Sequence, residues 1–146
     1  MKNNLNQNKN LKLFKLISEV DSDTNQNVFI VGGFVRDLLM SRKAPTDIDF
    51  VTESNGMSLA KSVADVLKPA PKVSIFKNYG TAMFKYNGLD LEFVGARKES
   101  YAEDSRNPSV EIGNLDDDQK RRDFTINALA ISLNKEIFGE LIDPFD

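Results

Sequence analysis

Apolar residues in this chain fall into short runs and into helically spaced sets, which together predict an alternation of strands and helices. Val28–Val31 is a β-branched apolar run that predicts a buried strand. Helical spacing within Asn10–Val20 predicts an amphipathic helix packed on the domain, followed by a loop over Asp21–Asn27. Residues 34–39 repeat the helical spacing directly after the first strand.

The same two patterns continue through the middle of the chain. Met57–Leu67 has the apolar spacing of a second amphipathic helix, which Pro69 and Pro71 would end. Val73–Phe76 predicts a further short strand. A strand, a helix and another strand in this order predict a sheet covered by helices.

Asn87-Gly88 joins two more predicted strands and is a strong signal for a β-hairpin. Both residue types tolerate the positive φ angles that a type I′ turn requires. The predicted strands are Thr81–Tyr86 and Leu89–Val94. A two-residue turn fixes the pairs across the hairpin as Tyr86 with Leu89, Lys85 with Asp90, and Met83 with Glu92.

This register separates the two acids of the second hairpin strand. Asp90 has Lys85 directly opposite, which predicts a cross-strand ion pair near the turn. Glu92 lies farther into the sheet and has Met83 opposite. An acid at such a position needs either solvent or a metal ion around its charge.

The last third of the chain is more polar. Lys98–Asn114 contains Pro108 and predicts a long mobile loop. Acids precede bases over Asp116–Arg122, as in a short helix, and Asp123 or Thr125 would cap a second one. A terminal strand pair is predicted around Glu136–Ile142. Taken alone, the basic residues 120–122 are typical of a solvated charged surface.

The Gly32-Gly33 pair at the end of the first strand is the first candidate binding element. Glycine lets the backbone turn sharply and approach a ligand closely. The N–H groups exposed at a helix start attract anions. Arg36 follows within the first turn, where its guanidinium is placed to meet a phosphate through two hydrogen bonds.

Asp47 and Asp49 lie in the next predicted strand, after a loop over Met40–Thr46. Strand side chains alternate, so both acids point to one face while Ile48 points into the core. Two carboxylates about 7 Å apart along a strand can share oxygen-seeking cations such as Mg²⁺. The strand therefore carries a candidate metal site.

Composition limits the chemistry that remains open. The 146 residues suit one globular domain, with 40% hydrophobic and 28% charged residues. The chain has no Cys and no His, which excludes thiolate nucleophiles, His bases and the usual zinc ligand sets. The net charge of −3 means that a polynucleotide partner would need a local basic patch or another domain. The polar N-terminal tail lacks a signal-peptide core, and no run predicts a membrane span, so we expect a cytoplasmic protein.

Several motifs together resemble one known family. They are GGFVRD (32–37), DIDF (47–50), EFVGAR (92–97), RRDFTINALA (121–130) and LIDP (141–144). Their order and spacing resemble the catalytic head of the tRNA nucleotidyltransferases and bacterial poly(A) polymerases, the class II branch of the polymerase-β-like nucleotidyltransferases. The resemblance runs from about residue 28 to the last residue.

This resemblance implies an α+β fold. We expect a short mixed or antiparallel sheet with helices on one side and the site at the sheet edge. Residues 1–27 would form an N-terminal tail and helix, and residues 28–146 the head domain. The neck, body and tail domains of the family would lie outside this chain, which would then be the catalytic head of a longer enzyme.

The resemblance also assigns roles to single residues. Asp47 and Asp49 match the paired metal ligands, and Glu92 matches the third carboxylate of the sheet. The positions that match nucleotide-contacting ones are Gly32, Gly33, Arg36 and Arg122, to which we add Arg97 and Asn127. Asp123 would help to hold the arginine-containing segment in place, and Asp118 matches an acid that usually precedes it.

The implied reaction is metal-assisted transfer of CMP or AMP from CTP or ATP to the 3′-hydroxyl of tRNA. Two Mg²⁺ ions are expected at Asp47 and Asp49, and Glu92 would orient the hydroxyl or complete the metal shell. RNA would be bound through the domains outside this chain. A poly(A) polymerase and a noncatalytic nucleotide-binding module are the alternatives. A structural Ca²⁺ site is disfavoured because no EF-hand loop is present.

Overall fold

A seven-stranded mixed sheet is the centre of the computed structural model, which describes residues 5, 8–24, 26–40, 46–100, 109–120 and 128–143. Only the backbone is described at residues 97–100, 109–112 and 120. The strands are β1 (Val28–Val31), β2 (Asp47–Thr52), β3 (Ser74–Phe76), β4 (Thr81–Tyr86), β5 (Leu89–Gly95), β6 (Arg97–Ser100), β7 (Ser109–Ile112), β8 (Ala130–Ser132) and β9 (Leu141–Ile142).

Four α-helices and two short 3₁₀ helices accompany the strands in the described ranges. The α-helices are α1 (Leu11–Thr24), α2 (Gly33–Leu39), α3 (Gly56–Val66) and α4 (Leu115–Lys120). The 3₁₀ helices are Lys77–Tyr79 and Lys135–Ile137. None of the helices in this described part is long and apolar enough to cross a membrane.

The strand order in the main sheet is β3-β4-β5-β2-β1-β8-β9. β2 and β5 run parallel, whereas the other neighbours pair antiparallel. The expectation of a mixed sheet is confirmed. β2 is the central strand, so any site built on it lies in the middle of the sheet. The expected position at the sheet edge is therefore wrong.

The larger core lies between one face of the sheet and α1, α2 and α3. Aromatic rings connect these layers. Phe14 of α1 meets Phe34 of α2 edge to face, with ring centroids 5.5 Å apart. Phe50 of β2 stacks on Phe93 of β5 at 4.8 Å, which places β2 and β5 side by side under the helices. Such aromatic pairs add stability beyond the area that they bury.

A smaller apolar cluster covers part of the opposite face. Its buried members are Phe29, Val31, Val51, Ala96, Leu115 and Ala130. Leu115 belongs to α4, so the helices are not all on one side as expected. The three longest α-helices share one face, and α4 packs against the other.

The hairpin prediction is confirmed in register and in turn geometry. Tyr86 pairs with Leu89 and Lys85 with Asp90, as expected from the two-residue turn. Asn87 and Gly88 have φ angles of 50° and 78°, which are the positive values that such a turn needs. The residue types of the turn alone were therefore sufficient to predict the register of this hairpin.

Other predicted boundaries differ from the structure. The predicted loop Lys98–Asn114 contains β6 and β7, which pair as a separate two-stranded sheet. Backbone hydrogen bonds hold β6 and β7 together. The residues of β6 are polar and do not alternate with apolar ones, so the sequence pattern did not predict a strand. Within Glu136–Ile142 the first residues belong to a 3₁₀ helix, and only Leu141–Ile142 is a strand.

The helical predictions are partly outside the described residues. α1 continues to Thr24, where the threonine hydroxyl donates to the Val20 carbonyl at 2.7 Å, so the predicted loop starts later. α4 covers Leu115–Lys120, and the rest of the predicted helix lies outside the described residues, as do both predicted caps of a second helix.

Asp21, near the end of α1, connects that helix to the first strand. Its side chain is 3% exposed. The carboxylate accepts hydrogen bonds from the backbone N–H groups of Gln26 at 3.1 Å, Asn27 at 2.6 Å and Val28 at 3.3 Å. These bonds satisfy the N–H groups of two residues between the helix and the sheet and of Val28, the first residue of β1.

We expect Asp21→Ala to lower the free energy of unfolding by about 3 kcal/mol, because three backbone N–H groups lose their buried acceptor. Urea denaturation followed by circular dichroism measures the change. Asp23→Ala is the matched control, since Asp23 is an exposed acid of the same helix. Equal losses in the two variants would contradict the role given to Asp21.

Candidate active site

β2 presents its two acids on the face opposite the larger core. Ile48 and Phe50 are fully buried in that core, whereas Asp47 and Asp49 are exposed. The alternation expected from the sequence is therefore present. A buried apolar side of the strand fixes which way the carboxylates point.

The parallel pairing of β2 with β5 brings Glu92 beside this pair. Asp49 is in register with Glu92, and Asp47 with Asp90. Paired strands lie about 4.8 Å apart, so these carboxylates are close neighbours on one face. On the other side of β5, Met83 is in register with Glu92 as expected. The structure thus places Asp47, Asp49 and Glu92 on one surface.

Asp90 has the structural role that the sequence suggested. Its carboxylate lies 3.8 Å from the Lys85 ammonium. The Lys85 side chain is 88% exposed and that of Asp90 39%, so solvent screens this pair strongly. Asp90 belongs to the same face as the candidate acids but already has a cation opposite it.

Asp49 and Glu92 occupy the middle of a single row of paired residues that crosses all seven strands. The row runs Ser74, Met83, Glu92, Asp49, Val31, Ala130 and Ile142. Its apolar members on β1, β8 and β9 belong to or pack against the smaller cluster. On this face, the acids therefore lie between two parts of the sheet. The smaller cluster covers the part formed by β1, β8 and β9, and the other part consists of β4 and the edge strand β3.

The donor set suits Mg²⁺ held by two protein carboxylates. In the described residues, no three Asp, Glu, His or Cys side chains form a group that could hold a metal ion. The pair Asp47 and Asp49 stays the predicted ligand set, and the part that Glu92 plays beside it stays a prediction. Mg²⁺ commonly binds one or two carboxylates together with substrate phosphates and water.

The Gly32-Gly33 turn lies directly beside Asp49. Val31 pairs with Asp49, and the chain turns at Gly32, whose φ of 78° strongly favours glycine. A Cβ on Gly32 would lie only 3.3 Å from the Asp49 Oδ2 atom. The backbone angle therefore favours glycine at this position, and a larger residue would also require the Asp49 carboxylate to shift slightly.

Arg36 lies over the same turn. Its Nε donates to the Asp37 Oδ1 atom at 3.2 Å, and its side chain is 38% exposed. A Cβ on Gly33 would lie 3.4 Å from Arg36 Nη2, so the guanidinium rests against the second glycine. Asp37 takes one of the five guanidinium N–H groups and orients the others. The turn thus carries a fixed cation close to the acids.

The remaining predicted residues fall partly outside the described ranges. Arg122, Asp123 and Asn127 lie outside them, and Arg97 is described only as the first backbone residue of β6. Asp118 is fully buried on α4. The roles of Arg97, Arg122 and Asn127 therefore stay predictions.

Two polar residues that the sequence did not suggest hold α4 near this face. Glu53, directly after β2, accepts from the Asn27 side-chain amide at 3.0 Å and from the Leu115 N–H at 2.8 Å. Gln119 is buried and donates to the carbonyls of Ala128 at 2.8 Å and Ile142 at 2.9 Å. Nothing in the local sequence marks either contact, because all partners except Ala128 are distant along the chain.

The sequence does contain a helix-capping motif at the start of α4. The Asn114 side chain accepts from the Asp117 N–H at 2.9 Å, and the Asp117 carboxylate accepts from the Asn114 N–H at 3.0 Å. This reciprocal pair has the arrangement of a capping box, with Asn and Asp in place of the usual residues. This motif predicts that the helix begins at Leu115, directly after Asn114.

Gly32→Ala and Gly88→Ala form a matched pair, because both glycines have a φ of 78°. Each substitution should cost about 1–3 kcal/mol of stability because φ is positive, and the cost should be larger at Gly32, whose ψ of −146° lies outside the αL region. A Cβ at Gly88 meets nothing within 4 Å, whereas one at Gly32 meets Asp49. We therefore expect Gly32→Ala alone to weaken binding of ATP with Mg²⁺ in calorimetric titration. Unchanged binding in folded Gly32→Ala would show that the turn does not position Asp49.

Comparisons with known proteins show which family this chain resembles. Residues 28–146 match the Poly A polymerase head domain family. The A-adding tRNA nucleotidyltransferase of Aquifex aeolicus (strain VF5) is 47% identical over 117 residues, which are 80% of this chain and 14% of that protein.

Two solved structures show the same fold. The apo form II of a CCA-adding enzyme superposes on this chain with a TM-score of 0.82 at 38% identity, over 94% of this chain and 32% of that chain. A tRNA nucleotidyltransferase complexed with a primer tRNA and an incoming ATP analog gives 0.73 at 40% identity, over 87% and 34%. The chain spans about a third or less of the length of these proteins. Sequence and fold together show that the chain belongs to the Poly A polymerase head domain family.

Proposed function

We propose that this chain is the catalytic head of an RNA nucleotidyltransferase that transfers CMP or AMP from CTP or ATP to the 3′-hydroxyl of tRNA. The observation that carries the proposal is the surface formed by Asp47, Asp49 and Glu92 beside the Gly32-Gly33 turn. Structures of related enzymes in complex with a primer tRNA, with ATP or with CTP support the proposal. These complexes favour tRNA over poly(A) synthesis.

The proposed reaction is a phosphoryl transfer at the α-phosphate. The 3′-oxygen of the RNA forms the new bond to phosphorus, the bond to the β-phosphate breaks, and pyrophosphate leaves. Asp47 and Asp49 would hold two Mg²⁺ ions. When bound, such ions lower the pKa of the attacking hydroxyl and stabilise the charge of the leaving group.

The side chains of this protein would mainly position the reactants. The Gly32-Gly33 turn and Arg36 would bind the triphosphate, and Asp37 would keep the guanidinium in place. Glu92 would orient the 3′-hydroxyl from the strand next to Asp49. Arg97, Arg122 and Asn127 are proposed as further nucleotide-binding residues on their motif match. We also propose a cytoplasmic location, where nucleoside triphosphates and tRNA are both present.

Calorimetric titration with CTP and with ATP in Mg²⁺ tests the site. We expect the Asp47→Ala/Asp49→Ala variant to bind each nucleotide at least about tenfold more weakly, because the metal ligands are gone. Asp90→Ala is the matched control: it removes an acid from the same face that already pairs with Lys85. A folded double variant that binds nucleotide like the parent would refute a metal-dependent site on β2.

The length of the product distinguishes A addition and CCA addition from synthesis of a poly(A) tail. The chain, a full-length relative and a tRNA lacking its 3′ end would be incubated with CTP and ATP. We expect the relative to add one, two or three nucleotides rather than a long tail. The chain alone should add them weakly, since it spans a third or less of such proteins. Efficient CCA synthesis by the chain alone would contradict this expectation.

A further inference from the structure

The segment around β3 and β4 carries lysines but no acids. Residues 66–89 contain four lysines and no Asp or Glu, although the whole chain has a net charge of −3. The lysines are Lys68, Lys72, Lys77 and Lys85, and all are exposed. Lys85 pairs with Asp90, so Lys68, Lys72 and Lys77 give the segment that contains the edge strand β3 a local positive charge, as an RNA partner would require.

Two aromatic side chains lie exposed in the same region. Phe76 is 44% exposed and Tyr79 is 67% exposed. They are the two aromatic members of the exposed large apolar side chains in the described ranges. Most phenylalanines of those ranges are instead buried in the core. An exposed aromatic ring beside a cation is the pattern that stacks nucleic acid bases.

The ring of Phe76 lies on the face that carries the acids. Phe76 pairs with Thr81, and Thr81 with Val94, which is two residues beyond Glu92 on β5. Ile75 points to the other face and packs against the larger core. Spacings of about 4.8 Å between strands and 3.3 Å along them put the Cα atoms of Phe76 and Glu92 roughly 12 Å apart.

The turn that carries Tyr79 is ordered by its own hydrogen bonds. The 3₁₀ helix Lys77–Tyr79 ends at Gly80, which has φ 63° and ψ 28° and donates its N–H to the Lys77 carbonyl at 3.1 Å. The Thr81 hydroxyl donates to the Tyr79 carbonyl at 3.1 Å. The backbone is thus held while the ring projects into solvent, which lowers the entropy lost when a ligand stacks on it.

We propose that Phe76, Lys77 and Tyr79 form a docking surface for single-stranded RNA, which holds the nucleotides that precede the 3′ end being extended. This proposal rests on the proposed function, in which an RNA 3′-hydroxyl must reach Glu92 on the same face. Bases would stack on the two rings, and the lysine would neutralise a phosphate.

Charge favours RNA over a second copy of this chain at this edge. β3 is an edge strand of the main sheet, and free edges can pair with another strand. Lys72 and Lys77 flank this edge strand and oppose such pairing, because two copies would bring like charges together. The same lysines attract a polyanion.

Fluorescence anisotropy with a short, unstructured, fluorescein-labelled oligoribonucleotide tests the surface over a range of salt concentrations. We expect Tyr79→Ala to weaken RNA binding at least about fivefold with little change in salt dependence, because it removes a stacking contact. Lys77→Ala should reduce the slope of log K against log salt by about 0.7, because one phosphate contact is lost.

The chain offers matched controls in its other 3₁₀ helix, Lys135–Ile137, which lies between β8 and β9. Lys135 is an exposed lysine, and Ile137 is a partly exposed apolar residue. Lys135→Ala and Ile137→Ala should leave RNA affinity within about twofold of the parent, which supports a local surface over a general charge effect. Light scattering of the parent and of Phe76→Ala reports whether a second copy binds instead.

The outcomes separate this proposal from the proposed function. Weaker RNA binding in Tyr79→Ala and Lys77→Ala, with unchanged binding of CTP and ATP, supports the surface. RNA affinity equal to that of the control variants, a parent that binds no oligonucleotide at low salt, or a Phe76-dependent dimer overturns it. If nucleotide binding fails in the parent while RNA binding depends on Tyr79, the docking surface stands and the catalytic function does not.

Discussion

The parallel pairing of β2 with β5 is the constraint on which the site depends. It puts Asp49 next to Glu92 and, through the same register, stacks the ring of Phe50 on that of Phe93 in the core. One set of backbone hydrogen bonds thus fixes both faces of the sheet. A slip of one residue would move the acids into the core and the phenylalanines into solvent, which neither face would tolerate.

Two glycines allow the connection that a parallel pair requires. A Cβ on Gly56, at the start of α3, would lie 2.7 Å from the Val94 Cα atom, and a Cβ on Gly95 would lie 2.7 Å from the Ser54 carbonyl oxygen. The chain leaving β2 therefore passes against the end of β5 with no room for side chains. This close crossing keeps α3 on the larger core, and the acid face stays uncovered around Asp47.

Buried and half-buried polar residues hold the surrounding segments at the sheet. Asp21 fixes the entry into β1, and Glu53 connects the end of β2 with the start of α4. Thr52 is fully buried, and its hydroxyl donates to the Gln26 carbonyl at 2.6 Å. These contacts lie at the ends of β1 and β2, so they set how α1 and α4 flank the two strands that bear the turn and the acid pair.

One face of the sheet combines two regions of opposite charge. The acids of β2 and β5 lie in its middle, and Lys77 directly follows β3 at the edge. A polyanion would be attracted to the edge and repelled by the middle unless cations neutralised the carboxylates there. Under the proposed function, nucleic acid would therefore bind near the acids together with metal ions.

Features with short-range causes could be predicted from the sequence alone. Asn87-Gly88 set the hairpin register because its positive φ angles allow one turn type, and the alternation in β2 put Asp47 and Asp49 on one face because Ile48 and Phe50 had to be buried. The motif resemblance added the family and Glu92. Only the tertiary structure decided that β5 lies parallel to β2, that β6 pairs with β7, and that Glu53 and Gln119 hold α4. These contacts are made by backbone groups and by single polar atoms, mostly between segments that are distant along the chain. The periodicity of apolar residues does not indicate which of those segments will pair.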